Sequence, residues 1–452
     1  MIANRLFTGR ISSALAAVAV GTVLLCTPQA QAMTKIERVV SPGGIEAWLV
    51  RESSVPLIAM EFSFKGGANQ DPVGKPGAAY MMAALLDEGA GDLDAKAFQA
   101  RSERNAVELS FRASRDEVRG SLKILSNRQT EGFDLLRLAL TQPRFDQEPV
   151  ERIRAQMLTA LKRETTSPND IGSRLWWRTA FPNHPYSLPT NGSLESVPSI
   201  VRDDLTGYAG RVLARDNLKV GVVGDIDAKS LGAMLDQVFG SLPAKSQLRD
   251  VPKTQPDVLG KRLEVPLDVP QTVVAFGGLG IARNDPDFIP AFIVNHILGG
   301  GSFSSRLYSE VREKRGLAYS VYSYLLPLDA TALFMGGTQT RADKADETVG
   351  LIKEEIHRLA ENGPTLDELE RAKSYIQGSY PLNFDTSTKI AAQLVQLQVD
   401  DLGIDYWERR NGLIDAVALA DVKRVASRLL NGGVLFTVVG RTPATAAAKQ
   451  GG

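Results

Sequence analysis

Apolar residues in the first half of the chain recur with the spacing of strands in some segments and with the spacing of helices in others. Glu117–Leu125 alternates apolar and polar side chains, as a half-buried strand does. The pattern predicts strands at Ala47–Arg51, Leu57–Phe64, Val107–Ala113 and Glu117–Leu125, and helices at Pro76–Glu88, Glu131–Leu140 and Val150–Thr165. Strands that are bunched between helices, without steady βαβ alternation, favour an α+β fold.

The pattern of the first half returns in the second half. Val55-Pro56 opens one extended run and Val269-Pro270 opens another, at an offset of 270 − 56 = 214 residues. ERIR at Glu151 recurs as ERAK at Glu370 (370 − 151 = 219), and VGVVG ending at Gly224 recurs as FTVVG ending at Gly440 (440 − 224 = 216). The repeat predicts two similar halves joined near residues 243–259, a stretch rich in Pro, Lys, Gln and Asp.

The segment Leu298–Tyr324 changes period twice. Its three glycines, Gly299–Gly301, are expected to break the apolar helix Phe288–Leu298, and Ser302 to cap a new helix that Gly316 ends. That helix would carry an apolar stripe of Leu307, Val311 and Leu317. A strand over Leu317–Tyr324 would follow, with Tyr319, Val321 and Ser323 on one face and Ala318, Ser320, Tyr322 and Tyr324 on the other.

Arg312 and Tyr319 are the candidate functional pair of this segment. Arg312 falls near the C-terminus of the predicted helix and Tyr319 on the strand that follows, so two hydrogen-bond donors can converge. The pattern alone also allows an Arg on a solvated helix face and a Tyr packed in a sheet.

The run GGGSFSSRLYSEVREKRGLAY, which ends at Tyr319, resembles the second domain of insulinase/pitrilysin-type metallopeptidases. This inverzincin family includes mitochondrial processing peptidase. The resemblance implies that Arg312 and Tyr319, at a separation of 319 − 312 = 7, bind the scissile carbonyl. It also implies two homologous α+β domains, each a mostly antiparallel sheet with helices on one face, which we expect over 33–245 and 246–452.

The zinc motif of that family is missing. Active members carry H-x-x-E-H on the first long helix, just after glycine-rich segments that this chain keeps as Gly66-Gly67 and 74–79. Here Tyr80 and Ala84 stand at the two His positions, and Ala83 stands at the position of the Glu base. Glu151 lies near the position of the third ligand and has no partner ligands. We therefore expect no metal site in this helix.

Other metal ligands are scarce in the chain. The three histidines, His184, His296 and His357, show no pair at helical ligand spacing, and the only cysteine is Cys26. We expect His184 to be a loop or capping residue, His296 a core residue and His357 a solvated one. A site built from scattered carboxylates is not indicated by any motif.

The N-terminus has the pattern of a targeting segment. Basic Arg5 and Arg10 precede the apolar run Ala14–Leu25, and Ala30-Gln31-Ala32 is an A-x-A cleavage site, which predicts a signal peptide over residues 1–32 and a periplasmic or otherwise secreted protein. The run is shorter than the roughly 20 residues that span a bilayer. A lipoprotein signal at Cys26 is disfavoured by bulky Leu25, and a mitochondrial presequence would be amphipathic and Arg-rich.

Composition narrows the classes of partner and chemistry. Cleavage after Ala32 would leave 452 − 32 = 420 residues without cysteine, and 52 − 2 = 50 basic against 52 acidic residues. This balance argues against nucleic acid or an anionic membrane as the main partner. We also expect no stable membrane insertion. The chain contains no G-x-S-x-G nucleophile elbow. No phosphate-loop sequence follows Gly299–Gly301.

The resemblance and the lost motif lead to one main hypothesis. Family members work as one long chain of four domains or as a pair of two-domain chains. We expect this chain to be the non-zinc subunit of a heterodimer, inactive alone, supplying Arg312 and Tyr319 to a peptide held at the zinc of a homologous partner with H-x-x-E-H. Gly299, Gly300 and Gly301 would shape the substrate cavity, or would only separate two helices. The alternative is a catalytically dead scaffold or chaperone-like subunit of an envelope complex.

Overall fold

A computed structural model describes residues 35–258 and 260–441. The expected signal peptide, Met1–Ala32, lies outside the described residues. The chain separates into two units, Met1–Lys35 and Ile36–Gly452. Only Lys35 of the first unit is described, and the helices and strands of the described residues all belong to the second unit.

The strands of the first half form a sheet with the order β1-β2-β6-β3-β5-β4 in the described residues. The pair β2–β6 is parallel and the other neighbouring pairs are antiparallel. The strands are β1 (Ile36–Val40), β2 (Glu46–Arg51), β3 (Leu57–Lys65), β4 (Glu108–Ala113), β5 (Glu117–Leu125) and β6 (Leu218–Gly224).

The second half repeats this arrangement. Its sheet has the order β7-β11-β8-β10-β9, in which β7–β11 is parallel and the remaining pairs are antiparallel. Strand for strand, this order matches β2-β6-β3-β5-β4 of the first sheet, as the sequence repeat predicts. The strands are β7 (Arg262–Pro266), β8 (Gln271–Leu279), β9 (Ala318–Pro327), β10 (Ala332–Arg341) and β11 (Leu435–Gly440).

Amphipathic helices bury their apolar stripes against the sheets. Those of the first half are α1 (Ala78–Ala83), α2 (Ala95–Arg104), α3 (Gln129–Thr141), α4 (Gln147–Glu164), α5 (Pro168–Ala180), α6 (Arg202–Val212) and α7 (Ala228–Phe239). Those of the second half are α8 (Phe288–Asn295), α9 (Ala345–Asn362), α10 (Leu366–Ser379), α11 (Ser387–Val399), α12 (Tyr406–Asp415) and α13 (Leu419–Leu430). Within the described residues, none of these helices is both long and apolar enough to cross a membrane.

The two halves exchange one helix each. One face of each sheet packs against helices of its own half, in two separate hydrophobic cores. The opposite face of the second sheet receives α5, where buried Trp176 packs with Met335 and Leu435 and donates from Nε1 to the Leu435 carbonyl at 3.2 Å. The opposite face of the first sheet receives α11, whose Leu394 packs on Val223. Each half therefore covers one face of the other half's sheet.

Most predicted elements lie close to observed ones. The predicted strand Glu117–Leu125 has the bounds of β5. In the second half, Thr365 and Glu368 form the capping box that begins α10. The predicted helix Pro76–Glu88 was too long, because only Ala78–Ala83 is α-helical and turns follow.

Candidate functional site

The segment that joins α8 to β9 is built from tight and wide helical turns. A π-helical turn, His296–Gly300, continues α8, and a 3₁₀ turn, Ser302–Ser304, follows it. A second π-helical turn spans Tyr308–Glu313 and carries Arg312. Wide turns of this kind occur often at functional sites, because the extra residue redirects the side chains that follow.

The expected cap at Ser302 was wrong. Ser302 has a φ of +47°, whereas a capping residue adopts extended backbone angles. Ser305 has that extended conformation, with φ −81° and ψ 154°, and its Oγ accepts a long hydrogen bond of 3.4 Å from the Tyr308 amide. Ser305 therefore caps the turn that carries Arg312.

The expected helix end at Gly316 is confirmed. Gly316 has a φ of +60°, in the left-handed region that favours glycine. Its amide donates to the Arg312 carbonyl at 2.9 Å, and the next amide, of Leu317, donates to the Val311 carbonyl at 2.9 Å. These bonds fix the carbonyl end of the turn and aim the chain into β9.

The expected faces of β9 were wrong for Tyr319. Val321 pairs with Thr338, but Ala318 pairs with Thr340, so two residues of β9 stand opposite one residue of β10. This β-bulge places Ala318 and Val321 both in the core and leaves Tyr319 82% exposed. Bulges interrupt strict alternation and re-aim side chains in this way.

The Arg312 guanidinium lies between two tyrosine rings. Its carbon is 4.5 Å from the centre of the Tyr319 ring and 4.9 Å from that of Tyr308. The structure thus brings Arg312 and Tyr319 together, as the sequence predicts. Among the described residues, no hydrogen bond or ion pair engages the Arg312 side chain. Its N–H groups are therefore available to an acceptor from outside the chain.

Neighbouring cations are already paired. Glu310 accepts from Lys314 Nζ at 2.5 Å and from Arg315 Nη1 at 2.6 Å. Hydrogen bonds from these two cations lower the pKa of Glu310. Because Glu310 holds the two flanking cations, Arg312 differs from them in having no carboxylate partner in the described residues.

An ion pair fastens the segment to α10. Arg306 donates from Nε and Nη2 to the two carboxylate oxygens of Glu368, at 2.6 and 2.8 Å, in a bidentate arrangement. Burial acts to raise the pKa of Glu368, but hydrogen bonds from Arg306 and Thr365 outweigh it and lower the pKa to about 2. This ion pair therefore holds the start of the turn that carries Arg312 against α10.

The three glycines have different environments. A Cβ on Gly299 would lie 2.6 Å from Ser323 Oγ and 2.8 Å from the Ser323 amide, and one on Gly301 would lie 2.8 Å from the His296 carbonyl. Gly299 therefore lets the loop pack on β9, and Gly301 lets it pack on the preceding turn at His296. Gly300 is exposed and lines a cleft. Substrate binding by the glycines stays a prediction.

Tyr308 is the member of this site that sequence reasoning missed. It is buried and lies on the inner side of the guanidinium. The signal was present in the sequence, because residues four apart on a helix share a face. Tyr308 stands four positions before Arg312 (312 − 308 = 4).

The helix at the lost zinc motif offers no ligand set. Tyr80 is 42% exposed and Ala83 is buried, so the matched positions present a phenol and a methyl group where imidazole and carboxylate would be needed. Glu151, near the third position, pairs with Arg154 at 3.1 Å. No cluster of His, Cys, Asp and Glu that could hold a metal ion occurs in the described residues. The residues present here do not fit zinc.

A buried carboxylate at this helix was not foreseen. Asp71 accepts hydrogen bonds of 2.7 Å from the backbone amides of Gly77 and Ala79, at the N-terminus of α1. Burial raises the pKa of Asp71 to about 7, against the opposing effect of these two bonds. Its place in the fold gives it a structural role in holding the helix start.

The histidines occupy the expected kinds of environment. His184 accepts from the Tyr186 amide at Nδ1 and lies 3.0 Å from the Pro252 carbonyl through Nε2, so it caps a turn and fastens the linker. His296 is buried with its ring centre 5.1 Å from that of Tyr375, and burial lowers its pKa. His357 is exposed beside Glu361.

Comparison with known proteins identifies similar chains. A family profile described as "Peptidase M16 inactive domain" matches residues 199–376. The "Non-peptidase homolog YmxG" of Helicobacter pylori is 28% identical over 335 residues, which are 74% of this chain and 77% of that protein. The "Uncharacterized zinc protease YmxG" of Bacillus subtilis is 24% identical over 352 residues, 78% of this chain and 85% of that protein.

A solved structure supports the same relationship. The crystal structure of a "peptidase M16 inactive domain" from Pseudomonas fluorescens superposes with a TM-score of 0.84 at 29% identity, covering 90% of this chain and 98% of that chain. The expected α+β fold class with two homologous domains is confirmed.

Proposed function

Because this chain belongs to the insulinase/pitrilysin-type (peptidase M16) family, as a member without the zinc motif, we propose that it is the non-zinc subunit of a secreted heterodimeric metallopeptidase. The partner would be a homologous chain with H-x-x-E-H that supplies zinc, water and general base. This chain would supply Arg312 and Tyr319 to the scissile carbonyl of a peptide substrate.

The environment of Arg312 carries the proposal. Its charge is held by the faces of Tyr308 and Tyr319 rather than by a carboxylate in the described residues. Ring faces attract a guanidinium but leave the N–H groups at its edge free. A guanidinium with free N–H groups can donate hydrogen bonds to an oxygen that becomes negatively charged during the reaction.

The chemistry needs donors fixed where charge develops. Attack on a peptide carbonyl places negative charge on its oxygen, and each positioned donor lowers the barrier by roughly 2.7–4 kcal/mol. The guanidinium contributes a permanent charge and the exposed Tyr319 phenol contributes a directional O–H. Neither group is a nucleophile for hydrolysis, so the pair would act on a substrate held by another subunit.

The substrate would lie beside the glycine loop. Gly299 keeps the loop close to β9, Gly301 keeps it close to His296, and exposed Gly300 presents its backbone. Strand β9 is at the edge of the second sheet in the described residues, so an extended peptide can approach it through backbone hydrogen bonds. We propose Gly299, Gly300 and Gly301 as the substrate-binding part of the site.

Reconstituted turnover tests the proposal. The purified chain is mixed with its co-purifying H-x-x-E-H partner, and cleavage of a quenched fluorescent peptide is measured for Arg312→Ala and Tyr319→Phe. We expect kcat/KM to fall about a hundredfold in each variant while the affinity between the subunits is unchanged. Arg315→Ala, which removes a nearby cation paired with Glu310, is the matched control and keeps wild-type turnover.

A scaffold or chaperone-like role is the second candidate. The name of the Helicobacter pylori relative, "Non-peptidase homolog", favours it. Under this role the chain would assemble with envelope proteins, and both variants would leave the turnover of any associated peptidase at the wild-type level. That result would overturn the carbonyl-binding proposal.

A further inference from the structure

The cleft that Gly300 lines lies among α8, α10, α11, α12 and β9 of the C-terminal half. It has a volume of about 570 Å³, within the range of roughly 300–1,000 Å³ that small-molecule sites occupy. Six of its 23 lining residues are aromatic, namely Phe288, Phe292, Tyr324, Tyr375, Tyr380 and Tyr406. A wall of this kind favours a bulky apolar group.

The charged residues of the cleft do not balance. Its lining contains two guanidinium groups, of Arg283 and Arg410, and one carboxylate, of Asp400. Asp400 accepts from Arg283 Nε at 3.2 Å and from Gln396 Nε2 at 2.8 Å. Asp400, the only carboxylate of the lining among the described residues, is therefore occupied, and the positive charge of Arg410 remains in excess.

Arg410 is 8% exposed and has no carboxylate within ion-pair distance in the described residues. Its guanidinium carbon lies 3.7 Å over the Tyr380 ring. Its hydrogen bonds are long, at 3.3 Å to Asn411 Oδ1 and 3.5 Å to the Ile376 carbonyl. Burial lowers the pKa of Arg410, and the like charge of Arg283 adds to this.

Burying a cation costs free energy unless a hydrogen-bonding or oppositely charged partner compensates its charge. Stacking on Tyr380 compensates the face of the guanidinium, but its edge still offers N–H groups to a bidentate acceptor. A carboxylate matches both the planar edge and the single excess charge. A doubly charged phosphate would exceed that charge and would also face Asp400.

We propose that this cleft binds the carboxylate of an apolar ligand, with Arg410 as the anion anchor and the aromatic wall around the apolar part. The source that fits best is the free C-terminus of a peptide ending in a bulky apolar residue, a choice that rests on the proposed peptidase role. Gly300 and Ser323 belong to the same wall, so the cleft adjoins the glycine loop. A small free carboxylic acid has the same chemistry.

Isothermal titration of the full chain, without any partner, tests the site. The probes are N-acetyl-Ala-Leu-Phe with a free carboxylate, the same peptide as its C-terminal amide, and 3-phenylpropionate. We expect the acid to bind at least about tenfold more tightly than the amide, since hydrogen bonds to a charged group gain this much. Equal affinity of acid and amide in the wild-type chain overturns the proposal, with no need for a variant.

Variants locate the site. Arg410→Gln is expected to bind the acid no better than the amide, whereas Arg409→Gln, on the same helix but paired with Asp405 and outside the lining, keeps the preference. An acid preference that survives in Arg410→Gln contradicts the assignment. Tight binding of 3-phenylpropionate supports the site with a small acid as its ligand, and weak binding supports a peptide C-terminus. The titration does not depend on turnover, so either proposal can fail alone.

Discussion

The guanidinium carbon of Arg312 lies 4.5 Å from the centre of the Tyr319 ring, although a helical turn carries one residue and an edge strand the other. Gly316 reverses the chain between them and the bulge in β9 leaves Tyr319 on the surface. The two donors therefore share one surface, and their contact is made through the face of the ring, which leaves the phenol O–H and the guanidinium edge free.

Replacing Arg312 by lysine should impair turnover nearly as much as replacing it by alanine. An ammonium group keeps the charge but lacks the planar face that fits between two rings and the fixed fork of donors. We expect kcat/KM of the reconstituted enzyme to fall about tenfold to a hundredfold. The same change at Arg315 should have no effect, and wild-type kinetics for Arg312→Lys would show that charge alone is sufficient.

Tyr308 should act as a positioning residue for Arg312. Tyr308→Leu removes the buried ring beneath the guanidinium, and the loss of a cation–π contact corresponds to roughly a tenfold decrease in kcat/KM. Tyr308→Phe keeps the ring, so its turnover should equal that of the wild type. A merely structural role would lower the thermal stability of Tyr308→Leu without separating the two variants in kcat at saturating substrate.

The sequence predicts that Arg312 and Tyr319 converge, and the structure places them in contact, but the sequence did not reveal how they meet. Strict alternation puts Tyr319 on the face of Val321, and the bulge that breaks this alternation has no marker such as glycine in the strand. The cap was assigned to Ser302, since three serines stand close together and only the backbone angles select Ser305. Local patterns identify candidate caps, whereas packing decides among them.

The pH dependence of stability should reflect the Arg306–Glu368 pair. The pKa of Glu368 falls from the ordinary value of 4.5 to about 2 in the folded chain. A lowered carboxyl pKa contributes stability that is present above about 4.5 and is lost as the pH falls towards about 2. Urea unfolding should show Glu368→Gln less stable than the wild type by about 2 kcal/mol at pH 7, a difference that shrinks through this interval.

The neighbouring Glu370 provides the control for this measurement. It lies on the same helix, is 61% exposed and has only a loose ion pair of 3.7 Å with Lys373. Glu370→Gln should therefore follow the wild-type curve at every pH. A stability difference for Glu368→Gln that stays constant between about pH 2 and about pH 7 would contradict an ionised, paired carboxylate.

The exchange of helices between the halves could not be read from the sequence either. The repeat predicts two similar halves but does not specify which helix covers which sheet. The structure places Trp176 of the first half on the second sheet. Sequence patterns thus described each half better than the way in which the halves are joined.

This exchange predicts that the halves stay together when the linker between them is cut. A protease site inserted at exposed Lys245 would leave α5 attached to the first fragment and α11 to the second, each still covering the sheet of the other. Trp176 and Leu394 are fully buried in these contacts, and large-to-small changes at such positions cost roughly 2–5 kcal/mol. We therefore expect the cut chain to elute as one species in size-exclusion chromatography, and Trp176→Ala to weaken the association of its fragments. Fragments that separate at micromolar concentration without any substitution would mean that the exchanged helices add little to the union of the halves.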